Sequence, residues 1–252
     1  MDDGGLRVSG QKGKKSENGG FEFLTCERLI VFVLLMVSAG MMGAYTYVLR
    51  GGVFCNAQTA NIVMMAIAFG KQDWSAGFYF LLPITAYCAG AFLSEILPHT
   101  VRKTGWMRWD TCLIGIEIVV LFIVGWLPLS APHQIVQIII NFIASMQYNT
   151  FRQAEGIPMA TTFCTNHVRQ VGICLAKMIQ KRDRRLLHRV LAHFLMLVGF
   201  LAGGCVLTIC CFLLGEKAIW IAMVPLSVNF IMLLYADLIK EHDLLWKVPR
   251  GH

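Results

Sequence analysis

Gly51-Gly-Val-Phe-Cys-Asn-Ala-Gln-Thr-Ala-Asn61, followed by an apolar stretch to Gly70, has a second copy in Thr162-Phe-Cys-Thr-Asn-His167, followed by a mixed stretch to Met178. Each copy comes after a long hydrophobic segment and before two more. A Thr/Asn cluster among apolar residues is costly in lipid. Its presence twice, at matching places, points to a site built about a pseudo-two-fold axis. Interrupted segments in corresponding halves of a membrane chain are the strongest sequence pointer to a substrate path.

Composition sets the class. Hydrophobic residues make up 56% of the 252, and charged residues only 15%, against about 25% in soluble domains. Mean hydropathy is +0.61. The chain reads as an all-α, polytopic integral membrane protein. Its net charge of +7 does not imply nucleic acid, because the Lys and Arg residues fall between apolar segments, where they set topology. Residues 1–25 read as a disordered tail rather than a signal peptide, since the apolar region after them is too long and lacks a small-residue cleavage site. The nine cysteines lie mostly inside apolar segments, with no CxxC and no His at ligand spacing, and read as reduced, buried hydrophobes.

A spanning helix takes about 20 apolar residues. Six segments qualify, roughly 29–49, 75–97, 108–128, 133–153, 189–213 and 218–238. Two shorter ones, 53–70 and 157–179, contain the copied motif. If all eight cross, with a cytoplasmic N-terminus, Arg102, Lys103 and Arg108 lie outside. If the two short segments enter and return on one side, 19 of the 22 basic residues are cytoplasmic and only Arg50, Lys71 and Lys217 are outside. The second arrangement obeys the positive-inside rule better. It also inverts the second half relative to the first, because three full spans separate the copies. An eight-span parallel repeat is the alternative. In the re-entrant reading, residues 51–58 enter extended and residues 59–70 leave as a half-helix of about 18 Å. The Thr/Asn turn then caps that helix. Trp74, Trp106, Trp109 and Trp126 fall near span ends, as interfacial anchors do.

Gln134, Gln137, Asn141, Ser145, Tyr148 and Arg152 lie three or four residues apart, on one face of the fourth span. They read either as a pathway wall or as interhelical hydrogen-bonding groups. Glu117 lies near the middle of the third span, where an ionisable side chain is a functional candidate by default. Glu95, beside His99, is closer to an interface. His188 and His193 are five apart and share no helix face. His167 stands in the second copy where the first has Asn61, and reads as a hydrogen-bonding residue. Gly40, Gly43, Gly90, Gly199 and Gly203 mark close helix contacts.

The stretch from Gly51 to Pro98 resembles the YoaK-type family of bacterial polytopic membrane proteins. The resemblance is carried by Gly51 and Gly52, by Thr59, Ala60 and Asn61, by Asp73 and Trp74, and by Pro83 and Gly90. A second Thr-Gly-Asn-like motif falls on Thr165, Asn166 and His167. Ala60 and Asn166 stand in place of the family glycine, and His167 in place of the asparagine. The similarity extends over roughly residues 25–240. A grouping of that family with major-facilitator transporters implies solute movement.

The expectation is therefore one membrane domain over residues 26–240, with repeats at about 26–130 and 131–240, and cytoplasmic tails at 1–25 and 241–252. It has six full spans, two short or re-entrant segments and an inverted internal repeat. The function expected is passage of a small molecule or ion along Asn56, Gln58, Thr59, Asn61, Glu117, Gln137, Asn141, Ser145, Tyr148, Thr165, Asn166 and His167. The partners expected are lipids and a second copy. No cofactor, metal, nucleic acid or catalytic activity is expected. A sensor or scaffold, or a membrane-embedded enzyme, are the other classes. The plasma membrane is the location, the bacterial inner membrane if the resemblance holds. The topology is checked with Thr104→Cys and Asp183→Cys, each in a background without accessible native cysteines. An impermeant thiol reagent is expected to reach both from the same side; labelling from opposite sides would establish eight crossings.

Overall fold

The computed structural model describes residues 23–183 and 186–250. Expectations that rest on residues 1–22, 184–185 and 251–252 lie outside the described residues. The described chain is helical apart from a hairpin of two short strands. The helices are α1 (Leu29–Leu49), α2 (Gln58–Gly70), α3 (Trp74–Thr104), α4 (Trp109–Val124), α5 (His133–Thr150), α6 (Thr165–Lys181), α7 (Leu186–Leu214) and α8 (Met223–Tyr235). Strands β1 (Gln153–Ala154) and β2 (Ile157–Pro158) pair antiparallel between α5 and α6. A 3-10 segment, Gly215–Ala222, leads into α8, and a π turn, Ala236–Lys240, follows it.

By length and composition, Leu29–Leu49, Trp74–Val101 and the run Leu186–Lys240 can cross a membrane. Large apolar side chains cover their outer faces. Phe92 is 66% exposed, Leu201 67% and Phe212 79%. Such a surface is foreign to a water-soluble protein and is solvated by lipid tails. The protein is a helical membrane protein. Between α1 and α3, and between α5 and α7, lie the short α2 and the polar α6.

α1 is apolar all round and is the most enclosed helix; Val31, Phe32, Leu35, Met36 and Met42 are buried, as expected of a helix with no polar face. Its main neighbour is α7. A Cβ at Gly40 would run into the Phe200 carbonyl, and one at Gly203 into the Val37 carbonyl. Small residues there let the backbones touch. α3 packs along α5 in the same way, with Gly90 against the Phe142 carbonyl and Ser145. Gly199 meets only ordinary contact, and Gly43 makes room for the Asn56 side chain. α2 lies on α3, α6 on α7, α4 on α8, α8 on α1 and α4 on α5. These main pairs are unchanged when α1 is exchanged with α5, α2 with α6, α3 with α7 and α4 with α8.

Contacts along the helices fix their directions. Tyr79 meets Gln137 and Ser94 meets Asn149, so α3 and α5 are parallel. Thr111 bonds Asp237 and Trp220 bonds the Phe122 carbonyl, so α4 and α8 are antiparallel. Gln147 reaches the Leu35 carbonyl and Gln137 the Arg50 carbonyl, so α1 and α5 are antiparallel. Val33 faces Gly199 and Gly40 faces Gly204, so α1 and α7 are parallel.

A buried ionic cluster ties one end of the bundle. Arg108, just before α4, pairs with Glu241 at 2.6 Å and lies 3.7 Å from Asp237. The Arg108 amide and the Thr111 hydroxyl donate to Asp237 at 2.9 and 2.6 Å. Thr25, ahead of α1, donates its amide and hydroxyl to Glu241 at 2.9 and 2.7 Å. Burial works against ionisation of Glu241, but the hydrogen bonds from Arg108 and Thr25 and the Arg108 charge outweigh it and hold the carboxyl below its ordinary value. The sign follows from linkage. Its stabilisation is complete above the unfolded value of about 4.3 and is lost as pH falls through the lower folded value. Arg108→Met leaves two buried carboxylates without their partner, at a cost of about 3–5 kcal/mol. The check is thermal unfolding in detergent at neutral pH and near pH 3. The variant is expected to melt well below the parent at neutral pH, with the gap narrowing at the lower pH.

Candidate functional site

The first motif leaves α1 through a tight turn. Gly51 and Gly52 both have positive φ, 83° and 72°, a conformation that glycine adopts without strain. Just before them, Arg50 is fully buried. Its guanidinium donates to the Tyr45 hydroxyl and to the Leu127 and Pro128 carbonyls at 2.6–3.2 Å. The Gln137 amide donates to the Arg50 carbonyl and, at 2.6 Å, to the Tyr79 hydroxyl. Arg50 thus fixes the end of α1 to the connection between α4 and α5.

Asn61 holds the loop that follows. Its side chain accepts from the Phe54 amide at 3.2 Å and donates to the Phe54 carbonyl at 2.7 Å, seven residues back. It also donates to Gln58 Oε1 at 3.1 Å. Gln58 in turn donates to Asn141 Oδ1 at 2.7 Å, and Asn141 donates to the Gln137 carbonyl at 2.7 Å. Asn56 donates to the Ala39 carbonyl on α1 at 3.2 Å. Val53, Cys55 and Asn56 are buried, and buried backbone outside a helix needs partners within the protein, which these side chains supply at Phe54.

The second motif is held by a different residue in the same way. His167 is fully buried, and its Nε2 lies 2.7 Å from the Ala160 carbonyl, also seven residues back. Its Nδ1 lies 2.9 Å from Nδ1 of His193 on α7. Asn166 accepts from Arg169 at 3.0 Å.

The expected Thr/Asn caps are not present. α2 begins after Ala57 and α6 after Cys164, and neither cap makes a side-chain hydrogen bond. Asn61 and His167 are spent on the loops behind them, and Thr59 is already inside the first turn. The first-turn amides of both helices therefore have no side-chain cap.

The two helix starts meet. Asn56, Ala57, Gln58 and Thr59 from the first motif, and Phe163, Thr165, Asn166 and Arg169 from the second, line one cavity of about 550 Å³. Tyr87 of α3 and Tyr148 of α5 complete it, and the Tyr148 ring lies against Phe163 with centroids 4.7 Å apart. Arg169 is its one charged lining residue. Asn61 and His167 stand behind this wall.

Gln137, Asn141 and Ser145 do not line the cavity. They are fully buried and bonded to neighbouring backbone or side chains, Ser145 to the Phe142 carbonyl at 2.8 Å. Of the polar face of α5, only Tyr148 reaches the cavity, while Arg152 pairs with Glu95 at 2.7 Å. Glu117 is elsewhere, on the inner face of α4 with Ile114 and Leu121; it is fully buried and neither carboxyl oxygen has a hydrogen-bond partner among the described residues. Among the described residues, no group of three or more His, Cys, Asp or Glu is placed to hold a metal. Tyr87 and Arg169 are site residues that the sequence reading does not single out, and His193, set aside there for sharing no face with His188, joins the site through His167. Arg169 leaves a signal as a charge within a segment too polar to face lipid; Tyr87 leaves none.

A family model described as "Protein of unknown function (DUF1275)" matches residues 31–232. Over 90 residues the chain is 27% identical to the "UPF0700 transmembrane protein YoaK" of Bacillus subtilis (strain 168), covering 36% of this chain and 40% of that protein. No solved structure matches.

The lock on the first loop is tested with Asn61→Leu. Two backbone groups at Phe54 then lose their partner inside the protein, at about 1–3 kcal/mol. The expected result is a lower melting temperature in detergent and faster proteolysis within residues 51–57, with α1–α7 packing retained. Unchanged proteolysis would remove Asn61 from this role.

Proposed function

We propose, from the premise that the chain belongs to the DUF1275 family, that it is a transporter or channel-like protein. It moves a small solute rich in acceptor oxygens through the cavity between α2 and α6. The observation that carries this is the meeting of two motifs, about a hundred residues apart in sequence, at one cavity whose mostly apolar surface carries polar side chains from both. The lining suits acceptor oxygens. It offers the uncapped amides of two helix starts, the hydroxyls of Thr59, Thr165, Tyr87 and Tyr148, and the Arg169 guanidinium, and it contains no carboxylate.

The reading includes six crossings and an inverted repeat. The helix directions support it. α1 and α5, the first helices of the two halves, run oppositely, and so do α4 and α8. An eight-crossing parallel repeat needs each of those pairs to run the same way. The exchange relation among the packing pairs supports the repeat as well. In this reading α2 and α6 enter and return, which is how half-helices line a site at mid-membrane. The protein then belongs in a plasma membrane with both ends of the chain in the cytoplasm.

One observation favours a second, non-transporting reading. Gln137, Asn141 and Ser145 are packed dry between helices, as in a sensor or scaffold. The cavity beyond Gln58 favours the first reading.

Proteoliposomes are the test, with small carboxylates and inorganic phosphate as candidate solutes. At least one is expected to enter faster than into protein-free vesicles. Arg169→Gln is expected to slow that entry by about tenfold, as befits a lost charged hydrogen bond. Entry that ignores Arg169→Gln, or a Thr59→Cys thiol that no water-soluble reagent reaches, would overturn the reading.

A further inference from the structure

Beside the cavity lies a pair of imidazoles that the solute pathway does not use. His167 and His193 are both buried, 0% and 2% exposed, with Nδ1 atoms 2.9 Å apart. Their hydrogens can be placed from chemistry. The Ala160 carbonyl only accepts, so His167 Nε2 carries a hydrogen and donates across 2.7 Å. In the neutral ring, His167 Nδ1 is then an acceptor, so His193 Nδ1 must donate to it. That leaves His193 Nε2 bare. One proton can add there with every hydrogen bond kept. A second would put hydrogens on both Nδ1 atoms and break the 2.9 Å contact.

The corresponding position in the first motif holds Asn61, which makes the same backward bond and cannot titrate. Of the two locks, one is chemically silent and one can carry charge. His167 is adjacent in sequence to Asn166, which lines the cavity. The charged and titratable groups on the packed elements include Arg189 and His188 on α7, the latter 3.9 Å from Glu155; Arg169, Cys174, Lys177 and Lys181 on α6; Arg28 before α1; and Glu216 and Lys217 at the far end of α7. Arg189 is the closest of these to His193 along α7, four residues before it. A proton on the pair therefore adds positive charge one residue from Asn166 in the cavity wall.

We infer that His167 and His193 form a one-proton binding site linked to the solute cavity, so that a proton and an acceptor-rich solute favour each other's binding. The inference rests on the solute-pathway reading. By linkage, the help that the proton gives the solute equals the help that the solute gives the proton.

The test uses the full chain in nanodiscs, with Thr165→Cys in a background without accessible native cysteines. Its rates of modification by an anionic and a cationic methanethiosulfonate are measured from pH 7 down to about pH 3. Their ratio cancels the titration of the thiol itself. The anionic-to-cationic ratio is expected to rise roughly tenfold as pH falls, with the slope of a single proton. It is expected to stay flat in His167→Asn, which copies the lock that Asn61 already makes, and in His193→Gln. A flat ratio in the parent, or the same rise in both variants, overturns the proton site alone. No reaction with either reagent overturns the pathway reading, and the linked site with it.

Discussion

Everything around the cavity depends on how the chain disposes of irregular backbone buried between its helices. Residues 51–57 and 159–164 are neither helix nor paired strand, apart from what their neighbours supply. A bare amide or carbonyl there costs several kcal/mol. The solution is one side chain reaching back seven residues, Asn61 to Phe54 and His167 to Ala160. Because those side chains satisfy the loops, they cannot cap the helices they belong to. Open helix starts, a polar cavity and a buried histidine pair are all consequences of that choice.

The elements were readable in the sequence because hydrophobic length is a direct physical requirement of the bilayer. α1 begins and ends where the apolar run 29–49 does, and α2 starts at Gln58, one residue from the expected half-helix. The equivalence of Asn61 and His167 was readable from spacing alone. What periodicity could not supply was what a polar face touches. Gln137, Asn141 and Tyr148 share one face of α5, yet the first two bond neighbouring elements and only the third meets the cavity. His193 looked isolated because its partner is on another helix, 26 residues away. Tyr87 sits in an apolar helix with no pattern to mark it. Arg50, counted on the outer side by its charge, is fully buried because Tyr45 and two loop carbonyls take four of its five N–H donors inside.

The ionic cluster at Arg108 has a different character from the cavity. It joins the segment before α1, the start of α4 and the turn after α8 through short ionic and hydrogen bonds. A charged network of this kind is weak as a source of net stability but strong as a fixer of relative position. It anchors one end of the bundle, while Arg50 with the Leu127 and Pro128 carbonyls anchors the other. Between these two clamps, α1 and α4 are held in parallel.

The packing pairs also bear on how the chain is made. The main neighbour of α1 is α7, and that of α3 is α5. Each half therefore keeps the principal partners of its long helices in the other half. As the protein is synthesised, α1 must wait in lipid, its Gly40 notch unfilled, until Phe200 has been inserted some 160 residues later. A half produced alone keeps α2 on α3, or α6 on α7, but lacks the main partners of its other long helices. The two halves are one folding unit, and a cut between α4 and α5 yields fragments that can become a protein only by finding each other.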